Sequence, residues 1–149
     1  MTEKADEIAA GFRRVAPVFH GLTAVGVTGK DMATALRVST ASVSKWRNGR
    51  VAMPDETKVF LTLMLGDQIT RVDEFGEDTI RVVKSAGGLE MAKADLAKQE
   101  QLNRGVPAMA VREGVRRYRI WWNALRNAAY LKPNRIVGGL ETQIKAAIR

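Results

Sequence analysis

Apolar residues recur at helical spacing along most of this chain, and no stretch alternates apolar and polar residues as a half-buried strand does. Near the N-terminus, Ile8, Phe12, Val15 and Phe19 are spaced by three or four residues and fall on one helical face. The periodicity predicts an all-α fold. With 46% hydrophobic and 27% charged residues, the composition is that of a folded protein rather than a disordered chain.

Start and stop signals divide the next part of the chain into short helices. We predict two of them, over residues 29–37 and 39–48. Pro54 then precedes a third helix over residues 55–65, whose two acidic residues in the first turn suit the positive end of the helix dipole.

The second half is also predicted to be helical. We expect breaks near Gly76 and at the Gly87-Gly88 pair, where the helical spacing is interrupted. A long amphipathic helix is predicted between Pro107 and Pro133, and a short one over residues 136–148. The apolar seam of the long helix is Val111, Val115, Tyr118, Trp122, Leu125 and Ala129.

The amino-acid composition argues against several kinds of catalytic and metal-binding site. There is no cysteine, and His20 is the single histidine, so thiol catalysis, Ser-His-Asp catalysis and Cys/His metal sites lack their residues. We therefore expect no enzyme activity, no metal and no cofactor. A cluster of carboxylates is interpreted as a solvated acidic face rather than a metal site. It consists of Asp73, Glu74, Glu77 and Asp78.

No run approaches the roughly 18 apolar residues of a membrane helix, and the acidic first ten residues do not resemble a signal peptide. We expect a cytoplasmic, nucleoid-associated protein with no membrane partner. The net charge of +8 favours polyanionic partners, and its distribution is uneven. Residues 1–65 carry +3, residues 66–100 carry −3 and residues 101–149 carry +8.

Residues 28–50 have the pattern that two tightly crossing helices need. Ala33 is small enough for a close crossing, and Ser39 can cap the second helix. The apolar positions between the helices are Leu36, Val38, Val43 and Trp46. The segment carries five basic residues and one acidic residue.

This segment resembles the helix-turn-helix of the phage lambda repressor and Cro superfamily, the xenobiotic-response-element type. The matching residues run without a gap from Ala33, through the Leu-Arg-Val-Ser sequence at 36–39, to Gly49-Arg50. The resemblance covers about residues 5–65. It implies a four- or five-helix DNA-binding domain that binds a two-fold symmetric operator as a homodimer.

Two positions depart from the family pattern. Arg37 occupies the turn position that is often glycine, where the backbone tends to be left-handed, and a non-glycine residue there costs about 1 kcal/mol. Gly29 replaces the polar residue that opens the first helix of the motif and contacts a phosphate. Either Lys30 supplies that contact instead, or the contact is absent.

The resemblance implies that the second helix of the motif enters the major groove. The predicted base-contacting residues are Thr40, Ala41, Ser42 and Lys45. The predicted phosphate-contacting residues are Lys30, Ser39, Arg47, Asn48 and Arg50. Only Lys45 has a strong preference among bases, for guanine, so we expect DNA shape, dimer spacing or a second contact surface to add specificity.

The long helix near the C-terminus carries a second basic feature. Its arginine stripe is an accessory DNA-contacting face, a solvated flank of the apolar seam, or a partner for the acidic middle of the same or another chain, and these interpretations stay open. The stripe consists of Arg112, Arg116, Arg119 and Arg126. Trp46 is predicted to lie in the core, and Trp121 and Trp122 are predicted to lie in the core or to anchor a dimer.

We therefore predict an all-α bacterial or phage transcriptional regulator that binds specific double-stranded DNA, with repression as the favoured mode. Its helix-turn-helix domain spans residues 1–66, and a helical dimerisation or accessory DNA-binding region spans residues 67–149. Two alternatives remain: an antitoxin-like autoregulator whose C-terminal region captures a protein partner, and a helical protein-interaction module that binds no DNA.

Overall fold

The computed structural model describes residues 16–76 and 81–131, and these residues form six α-helices and no strand. The predicted all-α fold is confirmed. The predicted helix over residues 136–148 and most of the first apolar face lie outside the described residues. The six helices are α1 (Pro17–Ala24), α2 (Gly29–Leu36), α3 (Thr40–Arg47), α4 (Asp55–Phe75), α5 (Gly88–Leu102) and α6 (Ala108–Leu131).

Side chains next to the helix ends explain where α2, α3 and α4 begin. Thr28 and Asp31 form a capping box, in which the Thr28 hydroxyl accepts from the Asp31 N–H and the Asp31 carboxylate accepts from the Thr28 N–H. Ser39 caps α3 as predicted, because its hydroxyl accepts from the Ser42 N–H at 3.1 Å. Pro54 precedes α4, which has an acidic first turn.

Helix α4 is longer than predicted. It continues past Leu65 to Phe75, and Ile69 and Val72 belong to it and are buried. The helix ends at Gly76, whose φ of 79° is left-handed, so the predicted break at that glycine is confirmed. The predicted domain boundary between residues 66 and 67 falls within this continuous helix.

The core joins the two halves of the chain. Helix α1 packs against α5, and α4 packs against α6. The buried cluster contains residues from both predicted regions, among them Phe19 and Phe60 from the first and Ala92, Tyr118 and Leu125 from the second. The helices that carry the DNA-binding candidates therefore share one hydrophobic core with the C-terminal helices.

A glycine lets α6 approach the first turns of α4. A Cβ atom on Gly114 would lie 2.6 Å from both the Glu56 carbonyl oxygen and Val59 Cβ, closer than any methyl group can come. Further along both helices, the Tyr118 hydroxyl donates to Asp67. Residues nearer the C-terminal end of α6 therefore contact residues nearer the C-terminal end of α4, so the two helices run in the same general direction.

Aromatic residues fill the space between these two helices. The Phe60 ring lies edge-on to Tyr118, with 5.3 Å between ring centroids, and 5.9 Å from the ring of Trp121. The Arg71 guanidinium lies 4.0 Å from the centre of the Trp122 ring. Trp121 and Trp122 are half-buried and pack against the core, in line with one of the two roles expected for them.

The predicted seam of α6 is confirmed in part. Tyr118 and Leu125 are buried and Val115 is half-buried, but Val111 is exposed. Val111 lies in the first turn of α6, before the close approach to α4 at Gly114.

Candidate nucleic-acid interface

Helices α2 and α3 are joined by a three-residue turn with one unusual backbone conformation. Arg37 has φ 57° and ψ 44°, the left-handed region, and in the described part of the chain no other non-glycine residue has a positive φ. The left-handed conformation expected at this position is confirmed. The N–H groups of Arg37 and Val38 bond to carbonyls of α2, those of Thr34 and Ala33, which closes the turn tightly.

The inner face of α3 is held by few but well-buried contacts. Val43 is 1% exposed, and Ala33 on α2 is also buried, as the predicted close crossing requires. Leu36 and Trp46 are half-buried and pack against the core. Val38 was expected among the apolar positions between the helices, but it lies in the turn and is 37% exposed, because the backbone reverses at Arg37.

The outer face of α3 is open to solvent. Thr40, Ala41 and Lys45, three of the four predicted base-contacting residues, are exposed. Ser42 is half-buried, and its hydroxyl lies 3.0 Å from that of Ser39, with which it shares a hydrogen bond. Thr40, Ala41 and Lys45 are therefore accessible to a groove of DNA, whereas Ser42 supports the start of the helix.

Four of the five predicted phosphate-contacting residues are also exposed. Lys30 and Ser39 lie at the starts of α2 and α3, and Asn48 and Arg50 follow the end of α3. The Asn48 amide donates to the Ser44 hydroxyl at 3.3 Å. Within the described ranges, neither Lys30 nor Arg50 forms an ion pair.

Arg47 has a different environment from the other candidates. It is half-buried, and its guanidinium donates to the Thr23 hydroxyl on α1, which itself donates to the Phe19 carbonyl at 2.9 Å. This chain of hydrogen bonds ties the end of α3 to the core helix α1. In this conformation Arg47 positions α3 rather than facing solvent.

The charge on this surface is almost entirely positive. The one acidic residue within residues 28–50 is Asp31, and its carboxylate accepts hydrogen bonds from the Thr28 N–H and hydroxyl, both at 2.9 Å. Lys45 has no ion-pair partner among the residues described. Lys45 on α3 and the flanking Lys30 and Arg50 are therefore available to an anionic partner.

The arginine stripe of α6 is exposed, but its members differ. Arg116 makes two hydrogen bonds to Glu113, at 2.7 and 3.0 Å, and Arg117 makes a third at 2.8 Å. These bonds lower the pKa of Glu113 to about 2. Arg112, Arg119 and Arg126 make no ion pair with the described residues, so three of the four predicted accessory arginines are unneutralised.

The histidine and the acidic cluster singled out in the sequence form no functional site within the described residues. His20, Asp73 and Glu74 are exposed, while Glu77 and Asp78 lie outside the described residues. Across residues 16–76 and 81–131, no group of acidic or histidine side chains is arranged to hold a metal ion. Among the helices of the same ranges, none combines the length and the apolar character that a membrane crossing requires.

Two features of this surface escaped the sequence interpretation. The sequence does carry a signal for the Thr28–Asp31 capping box, because a hydroxyl residue precedes an acidic one by three positions. No local sequence signal indicates the hydrogen bond from Arg47 to Thr23, because it joins residues 24 positions apart and depends on how α1 and α3 pack.

Comparison with known proteins adds no family to this geometry. No protein-family model matches the chain, and no significant match was found to a curated protein or to a solved structure.

Proposed function

We propose that this protein is a transcriptional regulator that binds specific double-stranded DNA sequences by inserting α3 into the major groove. The observation that carries the proposal is the two-sided character of α3. Val43 anchors its inner face, while Thr40, Ala41 and Lys45 face solvent with no acidic side chain paired to Lys45 in the described chain. In this proposal, α2 and α3 are the two helices of a helix-turn-helix.

The exposed side chains suit a modest direct readout of sequence. Ala41 and the methyl group of Thr40 can pack on thymine methyl groups, and Lys45 can donate to the acceptors of guanine. Since these three side chains distinguish few base pairs, deformability of the DNA and the spacing of two half-sites supply the remaining specificity.

Phosphate contacts would set the position of α3 on the duplex. Lys30, Ser39, Asn48 and Arg50 are exposed and are our candidates for this role, whereas Arg47 acts by holding α3 against α1. The unpaired arginines of α6 are candidates for additional phosphate contacts. They are Arg112, Arg119 and Arg126.

A homodimer on a two-fold symmetric operator follows from this mode of binding, because each protomer reads one half-site. Occupation of a promoter by such a dimer blocks polymerase, so we propose repression as its action. This role places the protein on bacterial or phage DNA in the cytoplasm.

The decisive experiment is selection of bound fragments from random and genomic DNA, followed by titration of the selected sequence. For Lys45→Ala we expect binding to weaken by roughly 1–3 kcal/mol and one base position to lose its preference. Lys84→Ala, at an exposed lysine distant in sequence from α3, is the matched control and should bind like the unaltered protein.

The outcomes separate the candidate functions. Unchanged affinity and footprint for Lys45→Ala would remove this side chain from the interface. If no fragment is retained even at low salt, DNA binding is refuted, and the chain is better described as a protein-interaction module. The slope of log affinity against log salt would count the phosphate contacts, at roughly 0.9 per contact.

A further inference from the structure

A cavity of about 320 Å³ lies between the α2–α3 turn and the C-terminal helix. One wall comes from residues 35–38 at the end of α2 and in the turn, another from the first turns of α4, and the third from α6. Its volume lies within the range of small-molecule sites in proteins, at the lower end. The cavity joins the helices proposed to bind DNA to the strongly basic region of the chain.

The walls of the cavity are mainly apolar. Leu36 and Val38 line it from the turn, Phe60 from α4, and Ile120 and Trp121 from α6. Val38 and Ile120 are 37% and 51% exposed, although both are large aliphatic side chains. These two residues therefore leave apolar surface that a ligand could cover.

The polar groups of the cavity favour an anion. Arg37 and Arg117 both line it, and Glu56 is the one carboxylate in its lining. Arg117 lies 3.8 Å from Glu56 through Nη1 and donates to Glu113 through Nε at 2.8 Å, so its Nη2 group is the part that a ligand can engage. Arg37 has no ion-pair partner in the part of the chain that is described. The indole N–H of Trp121 is buried and has no hydrogen-bond acceptor among the described residues.

We propose that this cavity binds a small organic anion with an apolar ring or chain, such as an aromatic or medium-chain carboxylic acid. The carboxylate is held by the guanidinium groups of Arg37 and Arg117. The apolar part lies between the turn and α6, against Val38, Ile120 and Trp121.

The position of the cavity gives its ligand a regulatory effect. Arg37 and Val38 form the turn that sets the direction of α3, and Arg37 is held in a left-handed conformation. A ligand that contacts both the turn and α6 changes the relative stability of alternative orientations of α3. The effect on DNA affinity rests on the proposed function, whereas binding of the anion does not.

Calorimetric titration of the full chain with 2-naphthoate and with decanoate tests the binding site. We expect saturable binding of at least one of these acids, one molecule per chain. The matched cation, 2-naphthylmethylammonium, should bind at least tenfold more weakly than 2-naphthoate. No saturable binding of either acid at concentrations on the order of 1 mM would overturn the proposal.

Two pairs of variants locate the site. Ala124→Phe places a ring in the cavity lining and should weaken acid binding at least tenfold, while Ala94→Phe, at an exposed alanine of α5, should leave it unchanged. Arg117→Gln should remove the preference for the acid over the cation, while Arg126→Gln should keep it. If the two variants of each pair bind the acid equally well, the acid binds elsewhere and the assignment is refuted. If Ala124→Phe does not fold, the comparison of Arg117→Gln with Arg126→Gln decides whether the acid binds in the cavity.

Titration of the selected DNA with saturating 2-naphthoate, or decanoate if only that acid binds, tests the regulatory step. We expect DNA affinity to change at least fivefold in the unaltered protein and to remain constant in Ala124→Phe. An acid that binds in the cavity without changing DNA affinity would overturn the regulatory role. Acid binding by a chain that retains no DNA would instead refute the proposed function and leave the binding site standing.

Discussion

The sharpest test of the packing between α4 and α6 is the substitution Gly114→Ala. Gly114 is a buried residue inside a helix, where glycine is less favourable than alanine by about 1 kcal/mol. Helix propensity alone therefore predicts that alanine stabilises the protein. The packing predicts the opposite, because the new Cβ would meet the Glu56 carbonyl oxygen and Val59 Cβ at 2.6 Å.

The steric effect should outweigh the propensity effect. One of the two close atoms belongs to the backbone of α4, so no side-chain rotation relieves the contact, and α6 must move away from α4. Inserting a methylene into a packed core costs roughly 1–3 kcal/mol. Here we expect the upper part of that range, because the same movement separates Phe60 from Tyr118 and Trp121. After subtraction of the propensity gain, the free energy of unfolding should fall by about 2 kcal/mol.

A second helical glycine provides the control. In Gly66→Ala, the added Cβ would lie 3.9 Å from the Leu96 side chain, an ordinary contact, so only the propensity term remains. Urea unfolding followed by circular dichroism should show Gly66→Ala more stable than the unaltered protein by about 1 kcal/mol, and Gly114→Ala less stable by about 2 kcal/mol. Stabilisation by both substitutions would refute the close crossing of α6 over α4.

Two further substitutions test strain and burial. Arg37→Gly should raise the free energy of unfolding by about 0.5–1 kcal/mol, because glycine adopts the left-handed conformation without strain, whereas Arg50→Gly should give no such gain in the same urea titration. Asp95 is 4% exposed, and its burial raises the pKa of its carboxyl group, although the positive charges of His20 and Lys98 oppose the shift. Since the folded-state pKa exceeds the unfolded value, the contribution of Asp95 to stability falls as the pH rises through the folded-state pKa. Asp95→Asn should therefore stabilise the protein by about 1 kcal/mol at pH 7 and by less near pH 4, and a pH-independent difference would contradict this reasoning.

Local sequence signals predicted the helices well where one short segment contains the cause. Ser39 caps α3 because a hydroxyl at that position reaches the N–H of Ser42 in the same turn. Arg37 is left-handed because the turn between α2 and α3 requires it, whichever residue stands there. The break at Gly76 was also predicted, since Gly76 interrupts the helical spacing.

Local sequence signals failed to predict structural features that depend on residues far away in the chain. The predicted end of α4 at Leu65 was too early, because Ile69 and Val72 continue the same buried face toward the C-terminal helices. The hydrogen bond from Arg47 to Thr23 was not predicted either, because nothing in the sequence near Arg47 indicates a partner 24 positions away.

The amino-acid sequence by itself determined the all-α class, the caps of α2 and α3 and the positive charge around α3, because these depend on residues within one or two helical turns. Only the tertiary structure decided which basic side chains remain exposed, how closely Gly114 brings α6 to α4, and that a cavity opens beside the α2–α3 turn. Those properties arise when segments tens of residues apart compete for the same space, and a one-dimensional pattern does not record that competition.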